Sequence, residues 1–318
     1  MGGAAAVAPE QAAFLRDALA GLSQPQKAIP AKYFYDTRGS LLFEAITRLP
    51  EYYPTRTETG ILAAHAGEMA DLIGPEAVLI EFGAGASRKV RILLDALRRP
   101  ALFMPIDISG EHLRQAAQAL DADYPALRVV PVVGDYTQRL DLPRDGAAAD
   151  AKRVVFFPGS TIGNLTPDEA RAFLGKTAGL LRGGGALLIG VDLKKDPAIL
   201  HAAYNDAAGV TAAFNLNLLV RMNRELGADF DLATFRHRAF YNEAAGRVEM
   251  HLVSLRPQTV HLDGRAFPFA AGESIHTENS YKFTVEEFQH LAAGAGFAPA
   301  RAWTDPDRLF SLHYMRAA

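Results

Sequence analysis

Five short apolar segments alternate with amphipathic stretches between residues 78 and 192, and this alternation restricts the fold more than any other feature of the sequence. Each segment has the length of a buried strand, and the stretches between them carry apolar residues at helical spacing. The five segments are 78–82, 101–107, 128–135, 153–157 and 186–192. Parallel strands need helical crossovers, which cover both faces of a sheet. The sequence therefore predicts an α/β fold with a doubly wound, mainly parallel sheet.

The chain before this region has the pattern of helices. Apolar residues follow helical spacing at 10–22 and at 40–49. Thr55 and Glu58 have the spacing of a capping box, in which each side chain bonds the backbone amide of the other residue. This box predicts a longer helix that runs from Thr55 to about Ile73.

Residues 197–283 break the alternation of strands and helices. A helical stretch reaches about Leu226, and segments in which polar and apolar residues alternate follow it. These segments are 235–242, 247–256 and 258–269. Such alternation is typical of antiparallel strands with one buried face, so we expect an antiparallel insertion here.

The pattern divides the chain into two expected domains. Capping boxes at Thr166 with Glu169 and at Thr284 with Glu287 predict two further helix starts in the α/β region. The core domain is expected to comprise 61–195 plus 286–318, and a second, α+β domain to comprise 1–60 plus 196–285.

Composition excludes several classes of function. A net charge of −3 over 318 residues is too acidic for a strongly basic nucleic-acid binder or a polybasic membrane footprint. The absence of cysteine excludes disulfides, thiolate nucleophiles and iron–sulfur clusters. The nine histidines form no H-x-x-H or H-E-x-x-H pair, so we expect no metal site. No apolar run has the length of a membrane span, and we expect a cytoplasmic monomer with no nucleic-acid or membrane partner.

The ends of the first three apolar segments carry residues that suit a nucleotide-type cofactor. Gly83 and Gly85 allow the backbone to pass close to a ligand, Asp107 can bind two ribose hydroxyls, and Asp135 with Tyr136 can hold an adenine. Because these glycines also fit an ordinary tight turn, the turn alone is weak evidence of a cofactor.

Two cofactor classes fit this turn. A dinucleotide fold requires a third glycine where this sequence has Arg88. Glu81, just before the turn, suits an S-adenosylmethionine fold, in which an acidic residue lies near the amino-acid moiety of the cofactor. Lys89 can meet the carboxylate of that moiety, although a solvated lysine in the first turn of a helix is an equal interpretation.

Four long motifs are more specific than this turn: YFYDTRGS at 33–40, TRLPEYYPTR at 47–56, FPGSTIGNL at 157–165 and TENSYKF at 277–283. They resemble signatures of the histidine-specific Nα-methyltransferases of ergothioneine biosynthesis. The resemblance extends from about residue 30 to the end of the sequence. It implies a Rossmann-like class I methyltransferase sheet with a second, substrate-binding domain. It also implies that S-adenosylmethionine methylates the α-amino group of free L-histidine three times, which gives the betaine hercynine.

The resemblance also implies a role for individual residues. The cofactor-binding residues would be Tyr52, Gly83, Lys89, Asp107, Asp135 and Tyr136. The substrate-binding residues would be Tyr35, Gly159, Asn164, Tyr204, Met250, Glu278 and Ser280. Tyr35 and Asn164 would orient the reacting amine, and Asn164 with Tyr204 would hold the carboxylate of histidine. Glu278 and Ser280 would bind the imidazole nitrogens in a pocket walled by Met250.

Three other interpretations remain open at this point. The same fold could methylate another aromatic amino acid or an imidazole amine, although an indole would not need the Glu278 and Ser280 pair. A nicotinamide-dependent oxidoreductase is disfavoured by the missing third glycine. A non-catalytic adenosyl-binding protein would have no use for an intact substrate site, and the sequence retains Tyr35, Asn164, Tyr204 and Glu278.

Overall fold

The computed structural model describes residues 9–85, 88–138, 140, 142–143, 150–181 and 184–318. Two residues of the glycine-rich turn considered above, Ala86 and Ser87, lie outside this part of the chain. The α-helices are α1 (Pro9–Leu22), α2 (Thr37–Ile46), α3 (Tyr53–Ile73), α4 (Arg88–Ala96), α5 (Gly110–Asp123), α6 (Pro167–Leu180), α7 (Pro197–Tyr204), α8 (Val210–Leu226) and α9 (Val285–Ala293). The strands are β1 (Val78–Phe82), β2 (Leu102–Asp107), β3 (Val132–Val133), β4 (Arg153–Phe157), β5 (Ala186–Asp192), β6 (Phe235–Asn242), β7 (Arg247–Ser254), β8 (Gln258–Leu262), β9 (Arg265–Phe269), β10 (Ser274–Tyr281), β11 (Phe297–Thr304) and β12 (Phe310–Ala317).

The described residues form two compact units. The first unit lies within Met1–Tyr53 and Lys195–Tyr281, and the second within Pro54–Lys194 and Lys282–Ala318. The sequence places the same three divisions at 60/61, 195/196 and 285/286. The first division moves to the start of α3 because residues 54–60 belong to the same helix as Ile61 and Leu62, whose side chains pack in the core of the second unit.

The second unit contains a seven-stranded sheet in the order β11-β12-β5-β4-β1-β2-β3. β1 to β5 are parallel, whereas β12 runs antiparallel to β5 and β11 runs antiparallel to β12. Val78, Ile80 and Phe82 of β1 belong to one hydrophobic cluster and Leu79 to another, so both faces of this strand are buried. The predicted α/β fold with a doubly wound sheet is confirmed.

The order of the parallel strands reverses beside β1, which lies between β2 and β4. A reversal of this kind separates the loops that leave the carboxyl ends of neighbouring strands and opens a crevice there. Gly83 leaves β1 at φ +71°, in the left-handed region that favours glycine. Its amide donates to the carbonyl of Ile106 at 2.9 Å, which holds the loop against β2.

Two sequence predictions about this unit are wrong. The third strand is limited to β3, with one isolated bridge between Val129 and Phe103, because Pro131 has no amide to donate to a sheet ladder. The capping box at Thr55 does not form, because α3 begins two residues earlier, at Tyr53, and Pro54 suits the first turn of a helix.

The other two capping boxes are confirmed. Thr166 and Glu169 exchange side-chain and backbone hydrogen bonds at the start of α6. Thr284 and Glu287 do the same at the start of α9. The apolar helix faces that follow these caps pack against the sheet, which explains why the local pattern was sufficient to predict them.

The first unit combines α1, α2, α7 and α8 with antiparallel strands. One sheet has the order β10-β7-β6, and β8 pairs with β9 in a separate hairpin. Asp263 and Gly264 form the turn of that hairpin with positive φ at both positions. The predicted antiparallel insertion is therefore confirmed, but the helical stretch that was expected to be continuous is divided into α7 and α8, with Gly209 at φ +71° before α8.

No helix of the described residues is both long enough and apolar enough to cross a membrane.

Candidate active site

Four of the predicted cofactor residues of the second unit lie at the carboxyl ends of β1, β2 and β3. The ring of Tyr136 stacks on Phe82 with centroids 5.5 Å apart and planes 7° apart. A Cβ at Gly83 would lie 3.8 Å from the same ring. Burial and the neighbouring carboxylates of Asp107 and Asp135 raise the pKa of the Tyr136 phenol. The structure therefore brings these four residues together.

Backbone amides orient the two carboxylates. Oδ1 of Asp107 accepts the amide of Ser109 at 2.8 Å, and Oδ1 of Asp135 accepts the amide of Thr137 at 2.8 Å. The Thr137 hydroxyl donates to the same oxygen of Asp135. Such turns hold a short acidic side chain in one conformation.

Glu58 is a central residue that the sequence analysis missed. Its carboxylate is fully buried, accepts the backbone amide of Gly159 at 2.9 Å and forms an ion pair with the ammonium group of Lys89. A Cβ at position 190 would overlap this carboxylate, so Gly190 leaves the space that it occupies. The sequence pattern at 55–58 was interpreted as a helix cap. Nothing else in that pattern indicates that Glu58 binds Gly159 and Lys89.

Glu81 is buried at the end of β1. Burial raises the pKa of its carboxyl to about 8; the charge of Lys89 opposes this rise, and those of Asp107 and Glu58 add to it. No donor among the described residues bonds its Oε2 atom. The side chain is therefore mostly a neutral acid at pH 7, with a buried oxygen that could accept a hydrogen bond from a ligand.

The loop after β4 carries Gly159 and Asn164. Gly159 has φ +83° and Ser160 has φ +56°, and left-handed backbone of this kind at a non-glycine residue is often found at functional sites. The hydroxyl of Ser160 accepts the amide of Asp192 at 2.9 Å, which ties the loop to the end of β5. Asn164 is half-buried at the end of a 3₁₀ turn.

A buried ion pair lies next to this loop. The ammonium group of Lys282 is 2.6 Å from the carboxylate of Asp192, and both side chains are 1% exposed. Lys282 belongs to the fourth sequence motif, but neither residue was predicted to have a role. Spacing along the chain could not identify the pair, because 90 residues separate its members.

Four of the predicted substrate residues lie together in the first unit. The hydroxyl of Tyr204 donates to the hydroxyl oxygen of Ser280 at 2.8 Å. Met250 of β7 pairs directly with Glu278 of β10, just after a register shift that follows His276. Glu278 and Ser280 are two positions apart in the regular part of β10, so their side chains share one face of the strand.

A buried polar network supports these four residues. His237 donates from Nε2 to the carbonyl of Tyr204 at 2.9 Å, and its Nδ1 accepts from the amide of Asn215 at 2.9 Å. The amide oxygen of Asn215 accepts the hydroxyl of Thr277 at 2.8 Å, and that hydroxyl also lies 3.0 Å from the carbonyl of Met250. The sequence analysis missed Asn215 and His237, which have no distinctive spacing.

Tyr35 and Tyr52 both belong to an aromatic cluster of the first unit. Phe43 makes edge contacts with both rings, at centroid distances of 5.6 Å to Tyr35 and 6.2 Å to Tyr52. Phe214 of α8 contacts Tyr35 at 5.8 Å. The side chain of Tyr35 remains exposed enough to meet a ligand, because 39% of the residue is open to solvent.

Comparison with known proteins supports the resemblance found in the sequence. Residues 14–317 match the model of a family described as histidine-specific, S-adenosylmethionine-dependent methyltransferases. The chain is 46% identical to a histidine N-alpha-methyltransferase of Mycolicibacterium smegmatis and 44% identical to that of Mycobacterium tuberculosis, in each case over 94% of both chains. It is 31% identical to ergothioneine biosynthesis protein 1 of Neurospora crassa, over 91% of this chain and 33% of that protein.

A match over nearly the whole chain includes both units, and the predicted family is confirmed. The chain belongs to the histidine-specific, S-adenosylmethionine-dependent methyltransferases.

Proposed function

We propose that the protein converts L-histidine to hercynine by three successive methylations of the α-amino group, the first step of ergothioneine biosynthesis. Family membership over both units and the names of its relatives support this reaction. The observation that carries the choice of substrate is the position of Glu278 and Ser280 on one face of β10, with Tyr204 bonded to Ser280 and Met250 opposite Glu278.

The chemistry of imidazole explains this choice. Its ring presents two nitrogens, of which at least one carries a proton. Glu278 accepts that N–H, and Ser280 serves the second nitrogen. An amino acid without a donor at this position leaves the carboxylate desolvated and unpaired, at a cost on the order of several kcal/mol.

The second unit has features that fit an adenosyl cofactor. Asp107 binds the ribose, and Asp135 with Tyr136 binds the adenine. The buried Oε2 of Glu81, which has no partner among the described residues, is available to a donor of the cofactor. Lys89 and Tyr52 are the other proposed cofactor residues. The ion pair with Glu58 fixes the Lys89 ammonium group before any ligand binds.

The protein mainly orients the reacting groups. S-adenosylmethionine, when bound, would supply a methyl group from its sulfonium sulfur, which would become a neutral thioether. Tyr35 and Asn164 hold the substrate amine by hydrogen bonds and do not compete with it as nucleophiles. Asn164 and Tyr204 hold the substrate carboxylate, for which the single proton of the Tyr204 hydroxyl turns from Ser280 to the substrate. Gly159 contributes backbone to the same site. The α-ammonium group of the substrate loses a proton to water, which frees the lone pair that these side chains hold in position to accept the methyl group.

A screen of amino acids tests this function. Purified protein is incubated with S-adenosylmethionine and either one of the common amino acids or an imidazole amine, and the product masses are measured. We expect histidine alone to gain three methyl groups. Methylation of another aromatic amino acid or of an imidazole amine, with none on histidine, would establish the alternative substrate class instead.

We further propose that the protein works as a cytoplasmic monomer. Both proposed reactants are small metabolites of the cytoplasm, and the reaction requires no nucleic-acid or membrane partner. Size-exclusion chromatography with light scattering should give a mass near 34.3 kDa.

A further inference from the structure

A β-bulge lies in the strand that carries the two proposed imidazole-binding residues. On β10, His276 pairs with His251 of β7. The next pair joins Glu278 to Met250, so Thr277 is an extra residue between the two pairs. Residues 276 and 278 of a regular strand would share one face, but here they follow His251 and Met250 to opposite faces. The bulge therefore decides on which face of the sheet Glu278 lies.

The side chain of Thr277 ties this bulge to helix α8. Its hydroxyl lies 2.8 Å from the amide oxygen of Asn215 and 3.0 Å from the carbonyl oxygen of Met250. Asn215 is 0% exposed, and no other donor among the described residues bonds its amide oxygen. Because a hydroxyl has only one proton, Thr277 satisfies this oxygen by donating to it.

The nitrogen of the same amide reaches two other elements. It donates to Nδ1 of His237 at 2.9 Å and to the backbone oxygen of His251 at 3.1 Å. His237 donates in turn from Nε2 to the carbonyl of Tyr204, at the end of α7. A carbonyl only accepts, so the carbonyls of His251 and Tyr204 determine both the orientation of the amide and the tautomer of the imidazole.

Asn215 thus uses both donors and the acceptor of one amide. It holds β10 through Thr277, β7 through a backbone carbonyl, and the end of α7 through His237. The hydroxyl of Tyr204 donates to Ser280 and so joins α7 to β10 a second time. A buried polar network in which each member is satisfied favours a single arrangement of the elements that it connects.

The network requires a neutral imidazole at position 237. Burial lowers the pKa of His237, although its bond to the carbonyl of Tyr204 and the charge of Asp206 oppose this effect. The ring therefore has one proton at pH 7, on Nε2, and offers the lone pair of Nδ1 to the amide of Asn215. An aspartate at position 215 has no N–H to donate, so it would bond this ring only as an imidazolium.

We propose that Asn215 is a positioning residue for the substrate: it holds the bulge of β10 and the end of α7 in the arrangement that presents Glu278 and Ser280 to the imidazole of histidine. This inference rests on the proposed function. Because Asn215 is fully buried, it acts through Thr277 and His237 and not by contact with the substrate. Residues that support a site in this way determine how precisely the binding groups are placed.

Asn215→Asp tests the role because it keeps the size of the side chain and the acceptor for Thr277 but removes both donors. We expect KM for histidine to rise by about 10-fold or more, while Kd for S-adenosylhomocysteine, measured by calorimetry, stays within about 2-fold. NMR of protein labelled with ¹⁵N-histidine gives a second readout. His237 should be neutral in the unaltered protein and an imidazolium in Asn215→Asp at pH 7.

Two variants of Thr277 test the other end of the amide. Thr277→Val keeps the branched shape but leaves the oxygen of Asn215 without its donor, and it should also raise KM for histidine. Thr277→Ser keeps the hydroxyl and should restore a KM close to that of the unaltered protein. If Asn215→Asp does not fold, equal KM values in Thr277→Val and Thr277→Ser overturn the proposal.

Asn223→Asp is the matched control on the same helix. The amide of Asn223 bonds the backbone nitrogen and oxygen of Phe230 at 2.9 Å and 2.8 Å, outside the network. This variant should melt at a lower temperature with an unchanged KM. A folded Asn215→Asp with an unchanged KM, with equal losses for both ligands, or with a neutral His237 overturns the proposal. Failure of the unaltered protein to methylate histidine refutes the proposed function instead, and the NMR test of His237 needs no substrate.

Discussion

The buried carboxylate of Glu58 accepts the backbone amide of Gly159 at 2.9 Å and at the same time pairs with Lys89. Glu58→Ala leaves both donors without this partner, so we expect a loss of about 3–5 kcal/mol in the free energy of unfolding. Glu58→Gln keeps an oxygen for the Gly159 amide and should lose less. Urea unfolding measures both changes.

The control for Glu58 is Asp71→Asn on the same helix. Asp71 pairs with Arg98 at the surface, where both side chains are more than half exposed. An exposed pair contributes at most about 1 kcal/mol, so this variant should unfold almost as the unaltered protein does. Equal stability losses in Glu58→Ala and Asp71→Asn would contradict the central role given to Glu58.

Glu278 should determine which amino acid is methylated. Glu278→Ala removes the acceptor for the imidazole N–H, and we expect kcat/KM for histidine to fall by about 10- to 100-fold. Binding of S-adenosylhomocysteine, measured by calorimetry, should not change. Glu243→Ala, at an exposed carboxylate in the turn between β6 and β7, is the control and should leave both values unaltered. Loss of cofactor binding in Glu278→Ala would refute the assigned role.

The neutral acid at position 81 should make stability depend on pH. Because burial raises the pKa of Glu81 to about 8, the folded chain keeps a proton that the unfolded chain loses above pH 4.5. This contribution to stability is complete below pH 4.5 and is lost as the pH rises to about 8, by up to about 1.4 kcal/mol per pH unit. Lys89 opposes the shift, and Asp107 and Glu58 enhance it.

Glu81→Gln tests this dependence because glutamine does not titrate. Unfolding free energies of the protein without cofactor are measured between pH 5 and pH 8.5. The unaltered protein should lose stability relative to Glu81→Gln across this range. A constant difference between the two would show that Glu81 keeps an ordinary pKa. Glu76→Gln, at an exposed residue paired with Arg99, controls for a surface carboxylate.

Replacing only one member of the Asp192–Lys282 ion pair should destabilise the protein more than replacing both members. Asp192→Asn removes the carboxylate that pairs with the buried ammonium group of Lys282, and we expect about 3–5 kcal/mol of destabilisation. The double variant Asp192→Leu with Lys282→Met removes both charges and should recover much of this loss. Thermal unfolding of the three proteins completes the comparison, and a double variant less stable than Asp192→Asn would contradict it.

The sheet could be predicted because its signal is local. The segments at 78–82 and 153–157 are almost entirely buried, and all of their residues except Glu81 and Arg153 are apolar. The two capping boxes that formed are local in the same sense. The capping box predicted at Thr55 was wrong because the helix starts at Tyr53, where Pro54 provides a competing start signal.

The candidate site was less accessible to sequence reasoning. The hydrogen bond of Tyr204 to Ser280 joins residues 76 positions apart, and the ion pair of Glu58 with Lys89 crosses from one helix to another. Such pairs follow no period or spacing along the chain, so only the resemblance to the family could suggest Tyr204 and Ser280. Glu58 lies just outside the second motif, so the family resemblance did not identify it.

The division of the first unit into two chain segments affects how a newly made chain folds. Asp36 caps α2 and bonds Asn217 of α8 at 2.8 Å, yet 181 residues separate the two. At 5–20 residues per second, a ribosome takes roughly 10–40 s to synthesise the residues between Asp36 and Asn217. During that time the apolar side chains of α2 have no α8 to cover them. A nascent chain of this protein should therefore need protection by a chaperone at its first helices, well before its sheet is complete.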